Sequence, residues 1–348
     1  MPPSVLLLGV SHRCAYDAYP LARIAAVHPV VLVDTAPPAW ARPYLAGHIA
    51  ADPGEEAATA EAVGRYALRH EVSGVLTWTR EYLPGAARVA ARLASPGIPY
   101  ETAAACTDPA ALQMLLARHK IPRRAGGHRR PARRGRGRRP GRRGPHRRTD
   151  AYGSGPAARP AVDAPLRARP RRAAAQPFLR HTVERTVRAL GLTHTVVHIG
   201  LRLTARGPRV TDVVLHLPGD LIPLLVERAT GVDLARAAAA LATGRLPDAA
   251  PTRQRAAAIQ FAYPATTGRL THLDMDPAAA YEPYAERMVL TRQPGDHVVA
   301  AAHADPDDRL AHWVAEGETP TDCADTLRRM AHHLSAAVNP AARPHAAA

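Results

Sequence analysis

Three side chains that could bind a metal ion fall within one predicted pair of strands. His198 lies on the first strand of the pair, and Asp212 and His216 lie on the second. Side chains an even number of residues apart on a strand point to the same face. Imidazole and carboxylate groups suit zinc, so a zinc site is one interpretation. The alternative is that these histidines only satisfy local hydrogen bonds.

One further motif and one cysteine have a possible chemical interpretation. The stretch TDAYGSG at 149–155 ends in Gly153, Ser154 and Gly155, whose backbone N–H groups could cradle a phosphate. A turn in a disordered linker is the alternative interpretation of these residues. Cys106 has no neighbouring base in the sequence, which disfavours a role as nucleophile.

The positive charge of the chain is confined to one segment. The 348 residues carry a formal net charge of +16, and residues 123–172 hold 18 arginines against Asp150 and Asp163. The rest of the chain is therefore formally neutral. The segment is also rich in Gly, Pro and Ala, so it cannot bury enough apolar surface to offset the entropy of ordering. We expect disorder there, with structure resuming near Pro177.

The elements before this segment follow a strand and helix rhythm. Short apolar runs at 4–10, 30–34 and 74–78 are typical of strands buried on both faces, and 52–70 and 82–95 are typical of helices. This order favours a small parallel sheet flanked by helices. Gly9 closes the first run without the rest of a dinucleotide-binding motif, so a turn glycine is favoured over a cofactor site.

Strong helix signals mark 108–119, where Asp108 can cap the first turn and Pro109 suits the first helical position. After the arginine-rich segment the sequence predicts a helix, a hairpin and a mixed C-terminal part. The predicted elements are a helix at 178–191, strands at 193–204 and 209–216, helices at 221–229 and 233–243, strands at 257–265, 269–275 and 297–304, and a helix at 320–334. On the first hairpin strand Val197, Ile199, Leu201 and Leu203 share one face.

Three cysteines without a CxxC pair argue against a disulfide framework or a zinc ribbon. The N-terminal apolar run is too short for a secretory signal, and no stretch is long enough to span a bilayer. We therefore expect a soluble cytoplasmic protein that does not enter membranes.

The residues from 194 to 244 resemble the metal-binding hairpin and following helices of ATP-grasp carboxylate-amine ligases, the group of L-amino-acid ligases and carnosine synthase. That family follows the approximate pattern H-x-E-x-R-x-T, a Gly-Pro turn, and E-x-N-x-R-x-G-G-D-x-I-P. The matching stretches here are HTVVHIGLRLTARGPRVTDVVLH (194–216), GDLIP (219–223) and ATGVDL (229–234). Residues 74–93, 106–122 and 309–323 are also similar to segments of these ligases.

The resemblance implies an α+β, ATP-grasp fold with an N-terminal α/β (pre-ATP-grasp) parallel-sheet domain. It also implies ATP and Mg²⁺ as cofactors, and a small carboxylate or amino-acid substrate joined to an amine through an acylphosphate. A homo-oligomer is possible. The predicted domains are the N-terminal domain at 1–105, a linker helix with a remnant of the lid at 106–176, the hairpin unit at 177–250, a C-terminal subdomain at 251–335 and a tail at 336–348.

By this resemblance, Asp212 takes the place of the second acidic metal ligand. Gly200 stands in the place of the first acidic ligand, Val214 in that of the asparagine, and Pro109 in that of the lysine on the linker helix. The carried-over positions are ATP binding at Gly153, Ser154 and Gly155, substrate binding at Arg202, His216, Gly219 and Asp220, and metal binding at Asp212. His216 replaces the arginine that clamps a carboxylate.

Three interpretations of the whole chain follow. The first is an ATP- and Mg²⁺-dependent ligase whose lid is corrupted, with residues 123–148 arising from a shifted reading frame. The second is a catalytically inactive ATP-grasp scaffold, which the replaced ligands favour. The third is a protein that binds nucleic acid through the arginine-rich segment; with Tyr152 as its only aromatic residue, that segment would bind phosphates without base stacking.

Overall fold

The computed structural model describes residues 2–123, 170–301 and 303–340. In the second of these ranges, side chains are described from residue 177 onward. The predicted lid remnant and the proposed phosphate loop, Gly153, Ser154 and Gly155, lie outside the described residues. The elements in chain order are β1 (Ser4–Leu8), α1 (Cys14–Ala25), β2 (Val30–Asp34), β3 (Gly47–Ala50), α2 (Glu56–Ala67), β4 (Val72–Leu76), α3 (Leu83–Arg92), α4 (Tyr100–Thr107), α5 (Pro109–Arg118), α6 (Pro170–Ala189), β5 (His198–Thr204), β6 (Gly207–Val214), α7 (Ile222–Thr230), α8 (Leu234–Ala242), β7 (Ala256–Ala262), β8 (Gly268–Met275), β9 (Ala285–Leu290), β10 (His297–Val298), β11 (Ala311–Gly317), α9 (Pro320–Met330) and β12 (Leu334–Pro340).

The N-terminal part is the predicted parallel sheet, in the order β3-β2-β1-β4. All five residues of β1 are buried, because helices cover both faces of the sheet. Leu6 and Leu8 pack with α2 and α3, whereas Leu7 packs with α1 and α8 on the opposite face. Successive side chains of β1 therefore contribute to two hydrophobic cores, one on each face of the sheet.

Helix α8 packs against the edge strand β4 although it comes from a distant part of the chain. A Cβ atom on Gly74 would lie 2.6 Å from the carbonyl oxygen of Ala242. The glycine thus permits a close approach between the sheet and the hairpin unit.

The predicted hairpin forms from β5 and β6, but β5 is shorter than expected. It begins at His198, which pairs with Val214, the last residue of β6. Residues 193–197 therefore lie before the paired part of the hairpin. Val197, Ile199 and Leu201 pack on a core with Val210 and Val213, as the alternation predicted. Leu203 is instead 42% exposed at the end of the hairpin.

The predicted return of structure near Pro177 is wrong, since α6 begins at Pro170. Alanine and arginine in residues 171–175 are strong helix formers, and proline is tolerated at the first helical position. Arg123, at the other end of the segment expected to be disordered, forms an isolated bridge with Val210 of β6. Residues at both ends of the segment expected to be disordered, Arg123 and those from Pro170 to 172, therefore lie in regular structure.

The C-terminal part contains two antiparallel three-stranded sheets, β7-β11-β9 and β10-β8-β12. The expected strand at 297–304 is reduced to the two residues of β10. The expected tail from 336 is also wrong at its start, because β12 pairs with β8 along its length. Helix α9 ends at Met330, four residues earlier than predicted. Together with the parallel sheet, these elements confirm the α+β class.

Within residues 2–123, 170–301 and 303–340, no helix combines the length and apolarity needed to cross a bilayer.

Candidate functional site

The hairpin places Gly200, where the resemblance predicts the first acidic ligand, directly opposite Asp212, the predicted second ligand. Gly200 pairs with Asp212 across the two strands, and the register shifts just beyond this pair so that Leu201 faces Val210. Thr211 is the extra residue of this bulge. A Cβ on Gly200 would lie 3.6 Å from the Cβ of Asp212 and 2.7 Å from Thr211 Oγ1. A carboxylate at position 200 would therefore stand beside Asp212, but glycine offers none.

The carboxylate of Asp212 is paired with an arginine from the N-terminal part. Arg80 Nη2 donates to Asp212 Oδ2 at 2.9 Å, with the two side chains 30% and 47% exposed. Arg80 opens a short 3₁₀ turn that follows β4. This arginine is not among the site residues predicted from the sequence. Its place just after a buried parallel strand, where ligands and functional side chains gather, was the available signal.

His216 lies beyond the end of β6 rather than on the strand as predicted. Its Nδ1 donates to the carbonyl oxygen of Leu217 at 2.8 Å. This bond leaves Nε2 as the acceptor of the neutral ring. Burial lowers the pKa of His216, and the neighbouring Arg80 guanidinium lowers it further. A neutral ring that already uses one nitrogen cannot replace the bidentate hydrogen bonds that an arginine donates to a carboxylate.

Asp220 is directed away from the hairpin and toward the C-terminal part. Its carboxylate accepts from Arg309 Nη1 at 2.5 Å and Nη2 at 3.2 Å, and Arg309 is 1% exposed. Arg309 Nε also donates to Tyr263 Oη at 3.0 Å, and its guanidinium lies 3.8 Å from the centroid of the Phe261 ring. These contacts hold Asp220 in a structural role.

The backbone around Asp220 is locally strained. Asp220 and Leu221 have φ of 57° and 59°, a left-handed conformation that is unfavourable for leucine. The pairing of Asp220 with Arg309 anchors this turn, from which α7 begins. Gly219, just before it, is exposed, and nothing lies within 4 Å of where a Cβ would be.

Arg202 lies on the same strand as Gly200, two residues further along, and faces Arg209 across the hairpin. It is partly exposed. A position two residues from Gly200 keeps it on the face that carries Asp212. Arg202 is therefore a cation at the edge of the predicted substrate face, and its role in substrate binding stays a prediction.

The side chains of the hairpin do not meet the requirements of either magnesium or zinc. Magnesium bound with nucleotide requires hard oxygen ligands, and the hairpin supplies one carboxylate that is already paired with a guanidinium. Val214 and Gly200 carry no ligand atom. No three His, Cys, Asp or Glu side chains among the described residues are grouped to hold one ion, so the zinc interpretation is not supported. These residues do not fit a magnesium-nucleotide complex.

Cys106 is buried below the hairpin face. Burial raises the pKa of its thiol to about 11, and the nearby carboxylate of Asp212 adds to the shift. The thiol is therefore protonated near neutral pH, which agrees with the absence of a neighbouring base in the sequence.

Comparisons with known proteins agree with this architecture. The family model described as L-amino acid ligase C-terminal domain 2 matches residues 260–339. The crystal structure of an L-amino acid ligase from Bacillus licheniformis is similar, with a TM-score of 0.73 at 15% identity over 97% of this chain and 99% of that chain. Phosphoribosylglycinamide synthetase from Anaerococcus prevotii gives a TM-score of 0.73 at 11% identity over 97% of this chain and 100% of that chain.

One curated relative is an uncharacterized protein, y4rH, from Sinorhizobium fredii (strain NBRC 101917 / NGR234). It is 30% identical over 159 residues, which is 45% of this chain and 33% of that protein. The chain therefore spans about a third of the length of this relative. The match carries no functional assignment of its own.

Proposed function

Since this chain has the ATP-grasp fold and resembles the L-amino-acid ligases, we propose that it is an ATP-grasp protein without ligase activity, retained as a binding scaffold. The observation that carries the proposal is the pairing of Asp212 with Arg80 opposite a glycine. At the face that the resemblance assigns to metal and nucleotide, the remaining carboxylate is thus already paired with a guanidinium.

The chemistry of carboxylate-amine ligation explains why this substitution matters. Forming an acylphosphate requires that the charge on the transferring phosphoryl group be neutralised by a metal ion and by cationic side chains. The family pattern supplies two acidic ligands and an asparagine for that ion. In this chain the three positions hold Gly200, Asp212 and Val214, and one carboxylate cannot bind Mg²⁺ tightly.

Arg80 does not restore the lost chemistry. A guanidinium is a fixed monovalent cation that cannot bridge two phosphates in the way a divalent ion does. Paired with Asp212, it also leaves the local charge close to zero. The pair instead ties the hairpin to the N-terminal sheet, which is a structural role suited to a scaffold.

The competing proposal is an active ligase that uses ATP, Mg²⁺ and a small carboxylate or amino-acid substrate. The two are separated by following ADP formation in the presence of Mg²⁺ and a panel of amino acids, with hydroxylamine to trap acylphosphates. We expect the wild-type protein and the Asp212→Asn variant to show the same background rate. Formation of ADP that depends on an amino acid and is lost in Asp212→Asn would overturn the proposal.

A further inference from the structure

Two arginines face each other across the hairpin. Arg202 of β5 pairs in register with Arg209 of β6, and residues directly opposite on antiparallel strands project to the same face. Along β6, Arg209 and Asp212 are partly exposed, whereas Val210 between them is buried. The bulge at Thr211 brings Asp212 back to the face of Arg209. Both arginines therefore lie on the outer face of the hairpin, the face that carries Asp212.

This arrangement is unfavourable without a ligand. Directly opposite residues have Cβ atoms about 4.5–5.5 Å apart, and like charges at that spacing destabilise a sheet. Neither guanidinium is paired with a carboxylate within the described part of the chain. Arg209 Nη1 donates to the carbonyl oxygen of Arg123 at 3.2 Å, a bond that brings no negative charge. The sequence between Glu184 and Asp212 contains no acidic residue. The hairpin strands therefore supply no counter-charge for the two arginines.

Asp212 does not neutralise them either. It pairs with Gly200, two residues along β5 from Arg202 and therefore about 7 Å away. Its carboxylate accepts from Arg80 Nη2 at 2.9 Å. With Arg80 included, this face carries three guanidinium groups and one carboxylate, an excess of two positive charges. That excess matches the charge of a dianion.

A threonine hydroxyl lies on the same face. Thr211 Oγ1 is 2.7 Å from the position that a Cβ atom on Gly200 would take, which places it on the side to which Gly200 and Asp212 face. The hydroxyl forms no hydrogen bond with any described residue. Each guanidinium has five N–H donors, and Arg209 commits one of them to Arg123. The face thus offers donors from three side chains.

These donors and charges suit a phosphoryl group. A phosphate monoester carries a charge of about −1.5 to −2 near neutral pH and has three strong acceptor oxygens. Its charge balances the excess on the face, and its three oxygens match the two arginines and the threonine. Arginine is well suited to phosphate because its planar fork can donate two parallel hydrogen bonds. A carboxylate or a phosphodiester carries a single charge and would leave one guanidinium without a counter-charge.

We propose that the outer face of the hairpin binds the phosphoryl group of a small phosphate monoester without a metal ion. Arg202 and Arg209 balance its charge, and the Thr211 hydroxyl donates to its third oxygen. The inference rests on the proposed function in one respect, namely that this face does not hold a metal–nucleotide complex. It names the class of ligand that the scaffold binds.

The test measures how fast phenylglyoxal modifies each arginine of the full chain, in EDTA and without nucleotide. Phenylglyoxal reacts with free guanidinium groups, and mass spectrometry of the digested protein identifies the modified positions. Rates resolved by position separate Arg202 and Arg209 from the arginines of 123–172. Arg69, an exposed arginine of the N-terminal part, is the internal reference. The added anions, at equal ionic strength, are inorganic phosphate, methyl phosphate, dimethyl phosphate and acetate.

We expect inorganic phosphate and methyl phosphate to slow the modification of Arg202 and Arg209 saturably, by about tenfold, because charge-assisted hydrogen bonds occupy both groups. The rate at Arg69 should not change. Dimethyl phosphate and acetate should need at least about ten times the concentration, since each has a single charge. Arg209→Gln should abolish the protection of Arg202, whereas Arg65→Gln, which removes an exposed charge elsewhere, should retain it. Thr211→Val should raise the half-protecting concentration about tenfold by removing a donor to a charged oxygen.

Four results would overturn the inference. The first is an unchanged rate at both hairpin arginines when phosphate is added to the folded wild-type protein. The second is full protection of Arg202 in folded Arg209→Gln. The third is equal protection by dimethyl phosphate or acetate, which would indicate an unspecific anion surface or one for a nucleic-acid backbone. The fourth is protection by inorganic phosphate alone, which would assign the face to free phosphate.

Failure of this inference is distinguishable from failure of the proposed function. The modification experiment contains neither nucleotide nor metal, so a negative result leaves the absence of ligase activity untouched. Conversely, ADP formation that depends on an amino acid would overturn the proposed function whether or not phosphate protects Arg202 and Arg209.

Discussion

Arg80 and Asp212 lie 132 residues apart in the chain, yet their side chains meet at 2.9 Å between Nη2 and Oδ2. Arg80 belongs to the turn after β4 of the parallel sheet, and Asp212 belongs to the hairpin. The pair therefore joins the two parts of the protein at the carboxylate that the resemblance predicts as a metal ligand. Arg80 thereby places a cation of the chain itself beside the Asp212 carboxylate.

The Arg80–Asp212 pair should contribute little to stability. Both side chains are partly exposed, and exposed ion pairs are worth about 0.2–1 kcal/mol because water and salt screen them. A double-mutant cycle with Arg80→Gln and Asp212→Asn, measured by urea unfolding, should give a coupling energy in that range. A coupling above about 2 kcal/mol would mean that the pair is far better shielded from water than the structure indicates.

The Asp220–Arg309 pair should contribute considerably more. Replacing Asp220 by Asn leaves a guanidinium that is 1% exposed with a neutral partner. Breaking a buried pair costs about 3–5 kcal/mol; since the Asp220 side chain is 35% exposed and asparagine keeps an acceptor, we expect about 2–3 kcal/mol.

Asp307→Asn, which alters an exposed pair with Arg13, is the control for this prediction. It should cost less than about 1 kcal/mol by the same unfolding measurement. Equal losses in Asp220→Asn and Asp307→Asn would contradict the assignment of Arg309 as the anchor of the strained turn.

His312 should make the stability depend on pH. Its ring is fully buried, and neither ring nitrogen has a hydrogen-bond partner among the described residues. Burial, reinforced by the positive charges of Arg287 and Arg309 and opposed by Asp220 and Glu286, lowers its pKa to about 4. Between pH 6.5 and 4 the unfolded chain binds a proton that the folded chain does not, so stability falls as the pH falls.

The expected loss from this histidine is about 2 kcal/mol between pH 7 and pH 5, at about 1.4 kcal/mol for each unit of pH below 6.5. Unfolding curves for the wild-type protein and for His312→Phe should diverge in slope over this interval. His119→Gln changes an exposed histidine and should follow the wild-type curve. Parallel curves for wild type and His312→Phe would rule out the predicted shift.

Gly74 should be intolerant of even one methyl group. A Cβ there meets the carbonyl oxygen and carbon of Ala242 at 2.6 and 2.8 Å, and these backbone atoms cannot turn aside. We expect Gly74→Ala to lower stability by about 1–3 kcal/mol by pushing α8 from β4. Gly219→Ala, where nothing lies within 4 Å, is the matched control. A neutral Gly74→Ala would show that α8 is free to move.

The regular elements were predictable because their signals are local. The strand Val30–Asp34 was predicted from its apolar run and the helix Leu234–Ala242 from its helical pattern, each within a residue or two of its observed bounds. The alternation of apolar and polar residues was also enough to predict that Val197, Ile199 and Leu201 share one face. These features depend on the nearest few residues.

The features that were missed depend on distant parts of the chain. The pairing of Arg80 with Asp212 and of Asp220 with Arg309 cannot be inferred from spacing, since 132 and 89 residues separate the partners. The bulge at Thr211 and the strand Leu334–Pro340 likewise depend on which strands lie alongside. The resemblance located the hairpin, but it could not reveal that Arg80 pairs with Asp212.

The most direct test of the account is Mn²⁺ binding in the presence of ATP, measured by electron paramagnetic resonance for the wild-type protein and for Asp212→Asn. Mn²⁺ takes the place of Mg²⁺ at oxygen sites and reports its own bound state. The account predicts no difference between the two proteins, because Asp212 is held by Arg80 and has no partner ligand at Gly200 or Val214. Nucleotide-dependent Mn²⁺ binding that is present in the wild type and lost in Asp212→Asn would contradict it.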